Sequence, residues 1–231
     1  YENKLHKFLV MPFYDNYDLY EYEFHRTPDK RPLLQDDKCY LAFKMLKILE
    51  GLKIRHIVHN DIKLENFVLK SRKNLEVILI DFETAEVIEE YSTNPLGTLC
   101  TMAPEKLLTD DPQHDYAADM WSLGVSLHFL LYHYYPFEIG EDIDNIDYIQ
   151  ECITQFELVK PNDSVDDAEW ELISAMLEKE PQKRITVEQA LKSKWFKNMK
   201  HEEQESKRVT SVYLSGTSEA DKITQNETEY N

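Results

Sequence analysis

The segment from Asp119 to Tyr134 places the strongest constraint on the fold, because it is apolar around almost its whole circumference. A helix with one polar face can lie on a surface, whereas a helix that is apolar all round has to be covered on every side. The segment is shorter than the roughly 18 apolar residues that indicate a membrane-spanning helix. We therefore expect it to form a buried helix in the middle of a helical domain.

The rest of the pattern predicts further helices and a few short strands. Between Asp36 and Leu52 the apolar residues recur at helical spacing with lysines between them, which indicates a helix of about four turns. The apolar runs at 7–11 and at 77–80 are typical of buried strands, and the long stretch 83–102 is typical of a loop. Thr186 and Gln189 form a capping-box sequence that opens a last helix. The predicted fold class is mostly α (α+β), a helical bundle with a few short β-strands near the N-terminus.

The charge of the chain excludes some classes of partner. It carries 44 acidic and 26 basic residues, a net charge of −18, which argues against binding to nucleic acid or to anionic membranes. Three scattered cysteines without a C-x-x-C pair favour a reducing compartment, and no signal-like or membrane-spanning segment is present. We therefore expect an intracellular, cytoplasmic protein.

Acidic residues are concentrated between positions 138 and 180, which hold 14 acids and two lysines, a local charge of −12. The favoured interpretation is a solvated face of surface helices. Residues 200–231 are polar, with few large apolar side chains, and are predicted to form a disordered tail.

One short segment supplies the groups that transfer of a phosphoryl group from ATP requires. It reads His59-Asn60-Asp61-Ile62-Lys63-Leu64-Glu65-Asn66, and Asp81-Phe82 follows after a predicted strand. The reaction needs a carboxylate to orient the attacking hydroxyl and accept its proton, a cation beside the phosphate, and oxygen ligands for Mg²⁺. Zinc is not expected, because His56 and His59 have no cysteine or third histidine near them.

These motifs together resemble the C-terminal lobe of a eukaryotic protein kinase of the serine/threonine type. The similar elements are His59–Asn66 for H-R-D-x-K-x-x-N, Asp81-Phe82-Glu83 for D-F-G, Gly97-Thr98 before Ala103-Pro104-Glu105 for A-P-E, Asp119–Gly124 for D-x-W-S-x-G, and Pro181–Arg184 for P-x-x-R. The resemblance covers roughly residues 8–197. It implies that residues 1–199 form the hinge and C-lobe of a protein kinase domain, with ATP and Mg²⁺ as cofactors and a protein as substrate.

The resemblance also implies a role for individual residues. Asp61 is similar to the catalytic base, Lys63 to the lysine that faces the phosphate, and Thr98 to the threonine that steadies both. Asn66 and Asp81 are similar to the Mg²⁺ ligands. The positions expected to contact the nucleotide are Met11, Pro12, Phe13, Tyr14, Asp18 and Val68.

Four further residues have structural or substrate-binding counterparts in the family. Glu105 and Arg184 resemble a buried ion pair, and Asp119 resembles the residue that binds the backbone of the catalytic loop. Glu65 lies where related kinases bind a basic residue upstream of the target hydroxyl.

The sequence departs from the family pattern in three places. No glycine-rich loop, strand lysine or partner glutamate precedes Tyr1, so we expect a truncated chain that is inactive as an isolated fragment. Glu83 replaces a glycine, which weakens the case for ordinary metal binding. Asn60 replaces an arginine that pairs with a phosphate on the activation loop, so phosphorylation at Thr93 or another loop hydroxyl should matter less.

Two alternative functions remain open at this point. A pseudokinase would keep the fold as a binding or scaffold module without the reaction, and Glu83 favours it. A small-molecule kinase of the choline or aminoglycoside type would share the His-x-Asp-x-x-x-x-Asn loop but not the Ala103-Pro104-Glu105 segment, so it ranks last.

Overall fold

The computed structural model of the protein describes residues 12–14, 17–25, 31–71, 74–88, 97–108, 115–140 and 145–197. Within these residues helices predominate and strands are few and short, as the sequence predicts. The predicted strand at 7–11, the region around Thr93 and the predicted tail lie outside the described residues. The helices are α1 (Leu19–Phe24), α2 (Gln35–Ile54), α3 (Pro104–Leu107), α4 (Tyr116–Tyr132), α5 (Ile146–Gln155), α6 (Asp167–Met176) and α7 (Val187–Ala190), and three 3₁₀ turns lie at Leu64–Asn66, Leu99–Thr101 and Lys194–Phe196.

Helix α4 is the centre of the core, which confirms the prediction of a buried helix. Its side chains are buried on every side, and Trp121 and Leu127 are fully enclosed. The helix starts before the predicted Asp119, because the Asp115 side chain caps it by accepting a hydrogen bond from the Ala117 backbone. It ends where His133 takes the left-handed conformation, with φ of 67°. Helices α2 and α6 pack against it.

The four strands of the described residues lie between positions 57 and 87 and form two antiparallel pairs. Strands β2 (Phe67–Ser71) and β3 (Glu76–Leu79) pair with Phe67 opposite Leu79. Strands β1 (Ile57–Val58) and β4 (Glu86–Val87) form the second pair. These pairs bring the loop that follows β1 and the loop that follows β3 to the same edge of the domain.

The prediction of one loop over 83–102 is wrong in part. Strand β4 lies in it because its backbone pairs with β1, a partner about thirty residues away that local sequence does not show. A 3₁₀ turn at Leu99–Thr101 occupies its other end.

The described part of the acidic region includes the surface helices α5 and α6, as the charge pattern predicts. Most acidic side chains on α5 and α6 are exposed, whereas Glu169 is buried and accepts a hydrogen bond from the Tyr132 hydroxyl at 2.9 Å. The predicted capping box at α7 is present, since the Thr186 and Gln189 side chains each accept a bond from the other residue's backbone. Among the described residues, no helix is long and apolar enough to cross a membrane.

Candidate active site

The loop from His59 to Asn66 is held from below by Asp119 in the first turn of α4. The Asp119 carboxylate accepts hydrogen bonds from the backbone N–H of His59 at 2.8 Å and of Asn60 at 2.9 Å. Burial raises the pKa of Asp119, while these two bonds act in the opposite direction. A carboxylate at a helix N-terminus is also favoured by the helix dipole. Asp119 therefore anchors the loop to the central helix, as the sequence predicted.

Asp61 lies at the centre of this loop and is bound by three side chains. Its Oδ1 accepts hydrogen bonds from the Thr98 hydroxyl at 2.7 Å and from the Thr98 backbone N–H at 2.9 Å. Its Oδ2 pairs with Lys63 Nζ at 2.8 Å and accepts a bond from Asn66 Nδ2 at 3.1 Å. Lys63 Nζ also donates to Thr98 Oγ1 at 2.8 Å. The residues that the sequence assigned to catalysis thus form one connected cluster.

The Asp61 carboxylate is stabilised in its ionised form. Burial by itself raises the pKa of Asp61, but the hydrogen bonds from Lys63 and Thr98 and the charge of Lys63 outweigh it. The net result is a pKa of Asp61 below the ordinary range for an aspartate. The group is therefore ready to accept a hydrogen bond from a hydroxyl at neutral pH.

Gly97 allows the segment that carries Thr98 to approach the loop. Its φ is 114°, and a Cβ atom at this position would stand 2.1 Å from the Asn60 carbonyl oxygen and 3.6 Å from Asp61 Oδ1. Only glycine fits both the conformation and the space.

Asn66 and Asp81 are brought to the same edge by the hairpin of β2 and β3. The Ile80 N–H donates to the Asn66 carbonyl at 2.9 Å, so Asp81 follows directly beyond the paired residues. The Asn66 amide nitrogen makes both bonds to Asp61, one to the carbonyl at 2.8 Å and one to the carboxylate. The amide oxygen of Asn66 therefore points away from Asp61, while the Asp81 side chain is exposed at φ of 61°.

The donor set of Asn66 and Asp81 fits Mg²⁺. Amide and carboxylate oxygens are hard ligands of the kind that this ion prefers, and it normally completes its coordination with water and phosphate. Phe82 stands edge-on to His59, with ring centroids 4.9 Å apart. This contact ties the turn after Asp81 to the loop that holds Asp61.

Two of the residues predicted to contact the nucleotide are neighbours. Asp18 and Val68 form an isolated antiparallel bridge. Asp18 also caps α1 by accepting a hydrogen bond from the Glu21 N–H at 2.7 Å, and burial raises the pKa of its carboxyl. Pro12 and Phe13 are exposed and Tyr14 is half-buried, and Met11 lies outside the described residues.

Comparison with known proteins decides the family. The sequence model of the protein kinase domain family matches residues 1–196.

The chain belongs to the protein kinase family.

It is similar to the serine/threonine-protein kinase DCLK3 of Mus musculus, with 29% identity over 87% of this chain and 25% of the relative. It is also similar to a probable myosin light chain kinase of Dictyostelium discoideum, with 31% identity over 83% of the chain and 38% of the relative. Calcium-dependent protein kinase 12 of Oryza sativa subsp. japonica is 32% identical over 85% of the chain and 36% of the relative. The chain therefore spans well under half the length of these relatives.

The ion pair that the kinase resemblance implied between Glu105 and Arg184 is present. Arg184 Nη1 and Nη2 donate to the two carboxylate oxygens of Glu105 at 2.6 and 2.8 Å, across 79 positions of sequence. The arginine side chain is fully buried, and that of Glu105 is 17% exposed. Arg184 also donates to the carbonyls of Ala117 and Glu178, so it links α3 to the start of α4.

Two residues beside the Asp61 cluster were not identified as functional from sequence. Asn60, which sequence reasoning treated only as a missing arginine, is buried and makes hydrogen bonds with its backbone and its side chain. Lys106 was not singled out, although it is buried at the centre of α3. The available signal was a lysine directly before the apolar pair Leu107-Leu108, in a segment that the A-P-E motif places under the loop.

Proposed function

We propose that this chain is the hinge and C-lobe of a serine/threonine kinase domain, which transfers the γ-phosphate of ATP to serine or threonine hydroxyls of proteins. The observation that supports this most is the Asp61 cluster, in which an ionised carboxylate is held between Lys63 and Thr98. Lysine two residues after the base is the form that serine/threonine kinases share.

Each residue of the cluster has a distinct part in the reaction. Asp61 orients the attacking hydroxyl and accepts its proton, a contribution of typically about 10²–10⁴ in rate. Lys63 places a positive charge beside the transferred phosphate, and Thr98 fixes both side chains. When bound, Mg²⁺ neutralises charge on the phosphates, and the Asn66 amide oxygen and the Asp81 carboxylate would hold it.

A phosphotransfer assay on the full-length protein tests the proposal. With Mg-ATP and a serine/threonine peptide library, the wild type should transfer phosphate and Asp61→Asn should lose turnover. Nucleotide affinity of the variant should change little, because Asp61 acts on the hydroxyl rather than on the nucleotide. Phosphate transfer that is unaffected by Asp61→Asn would contradict the assignment.

A pseudokinase is the second candidate, and Glu83 is the observation that favours it. The Glu83 backbone N–H donates to Asp81 Oδ1 at 3.4 Å, and Glu83 adds a carboxylate two positions along the chain from a proposed metal ligand. Glu83 is exposed, however, and Asp81 itself remains open to solvent. Titration with ATP in the presence and absence of Mg²⁺ separates the candidates, since a pseudokinase of this kind would show no Mg²⁺-dependent binding at millimolar ATP and no turnover.

Substrates with arginine or lysine upstream of the target hydroxyl fit the charge around Glu65. Glu65 is exposed. Burial raises the pKa of Cys100 and of Tyr135, two residues joined by a 3.7 Å contact, and the charge of nearby Glu65 adds to the rise in both. Glu65 therefore stands beside the segment that follows Thr98.

A further inference from the structure

Lys106 is a buried cation next to the loop that carries Asp61. Its residue surface is 3% exposed, and its Nζ donates a hydrogen bond to Asn60 Oδ1 at 2.8 Å. An ammonium group is costly to bury unless charges or hydrogen bonds compensate for lost water. A lysine at this place therefore calls for a specific reason.

Asn60 is the point at which the lysine acts on the loop. Its backbone N–H donates to Asp119, its side-chain Nδ2 donates to the Thr84 carbonyl at 2.9 Å, and its Oδ1 accepts from Lys106. Its φ of 68° is left-handed, a conformation that asparagine tolerates better than most residues. The neutral side chain of Asn60 thus joins α3 to the turn after Asp81, and Asn60 directly precedes Asp61.

The charges around Lys106 explain why it is tolerated there. The carboxylates of Asp119, Glu86, Glu105 and Asp61 all stabilise its charged form, whereas burial lowers the pKa of Lys106. Lys63 and Arg184 are bound to Asp61 and Glu105 respectively. Lys106 accordingly supplies positive charge to the space between Asp119 and the loop.

We propose that Lys106 is a positioning residue for the phosphotransfer site, which holds Asp61 in place through the side chain of Asn60. This inference rests on the proposed function. Because the neutral Asn60 side chain is already held by Lys106, position 60 presents no cation that an added phosphate would have to bind, and assembly of the site requires no phosphate. The same geometry excludes a cationic side chain at position 60, since that cation would stand at hydrogen-bond distance from the buried ammonium of Lys106 and the two like charges would repel each other.

The first test compares Lys106→Met with a matched variant, Lys38→Met, in the full-length protein. Lys38 is also buried, and its Nζ contacts the Leu130 carbonyl and Glu23 at 2.7 Å each, at the opposite end of α4. Positions 119 and 130 are about 16 Å apart along a helix, so Lys38 cannot act on the loop directly.

Lys106→Met should lower kcat roughly 10- to 100-fold, because misplacement of a catalytic group by about 1 Å can cost about 100-fold in rate. The KM for ATP should stay within about twofold of the wild-type value, since binding of the nucleotide in the ground state is unaffected.

Hydrogen exchange of the same two variants provides a readout that does not depend on catalysis. Lys106→Met should speed exchange of the His59 and Asn60 amides, which donate to Asp119, and leave the middle of α2 protected. Lys38→Met should instead affect the start of α2 and the end of α4. Uniformly faster exchange in Lys106→Met, or an unchanged loop, would overturn the proposal. If the wild type transfers no phosphate, the proposed function fails, whereas the exchange result still decides the role of Lys106.

A charge swap tests the predicted exclusion at position 60. Asn60→Arg should lower loop protection and kcat, and Asn60→Arg combined with Lys106→Met should recover at least part of both. Strain from arginine in a left-handed conformation is present in both arginine variants, so a double-mutant cycle removes it. Strictly additive effects of the two substitutions would show that the residues do not act through each other and would overturn the proposal.

Discussion

At the scale of single residues, the proton affinity of Asp61 depends on Lys63. The hydrogen bond and positive charge of Lys63 help to hold the pKa of Asp61 below its ordinary range, so the carboxylate gains a proton only at pH values below that range. Lys63→Met removes both contributions, and the pKa of Asp61 should rise. The acidic limb of the kcat/KM profile should then move to higher pH, in addition to a fall in kcat. Lys70→Met is the control, since Lys70 pairs with Glu76 at the surface, and an equal shift in the control would contradict this explanation.

Gly97 is a second residue whose replacement has a predictable result. Gly97→Ala combines a left-handed φ with a clash against the Asn60 carbonyl oxygen, so it should separate Thr98 from Asp61 and abolish most turnover. Gly51→Ala is the matched control, because Gly51 lies inside α2 and an added Cβ would meet only the tip of Arg55 at 3.6 Å. That control should stabilise the protein by about 0.5–1 kcal/mol, as alanine is the better helix former. Thermal unfolding and initial rates of both variants measure the contrast, and comparable activities would argue against the close approach.

At the scale of elements, local pattern predicted those parts of the fold whose signal lies within one segment. Helix α4 could be predicted because a segment that is apolar all round has to be buried, and α7 because a capping box carries its own start signal. Strand β4 could not, since two residues become a strand only through pairing with β1. The cluster around Asp61 was predicted by motif, whereas the Lys106–Asn60 bond depends on how α3 docks beneath the loop. Interactions that arise from tertiary placement leave no periodicity in the sequence.

The ion pair between α3 and the turn before α7 should contribute strongly to stability. Glu105→Gln leaves the guanidinium of Arg184 buried without its counter-charge, and removing one partner of such a pair costs about 3–5 kcal/mol. Urea unfolding should show this as a lower midpoint with an unchanged slope. Glu180→Gln provides the comparison, because Glu180 and Lys183 are 61% and 65% exposed and a solvent-screened pair of this kind should contribute much less to stability. Similar losses in the two variants would mean that the Arg184 environment tolerates a lone charge.

At the scale of the whole molecule, part of the acidic surface of the described residues lies beside the segment that follows Thr98. Helix α5 packs against α3 and against the 3₁₀ turn that follows Thr98, and the exposed Asp147 and Glu151 lie on this helix. Under the proposed function, this acidic surface borders the segment that a protein substrate would approach. Charged surfaces of one sign raise the local concentration of oppositely charged ligands and speed their association.

This arrangement predicts that kcat/KM for a peptide with upstream arginine exceeds that for its neutral counterpart and falls as salt is added. At 0.1 M salt, exposed charges more than about 10 Å apart are largely screened from each other. As salt is added, the attraction of the peptide by the acidic residues of α5 should therefore fade first, while a direct contact with Glu65 persists. Glu65→Gln should reduce the preference for arginine at all salt concentrations, whereas Glu151→Gln should change only the salt dependence. A neutral peptide serves as the control, because its kcat/KM should respond weakly to salt and to either substitution. Indifference of the wild type to upstream arginine, or preference for acidic peptides, would show that these carboxylates face solvent without directing substrate choice.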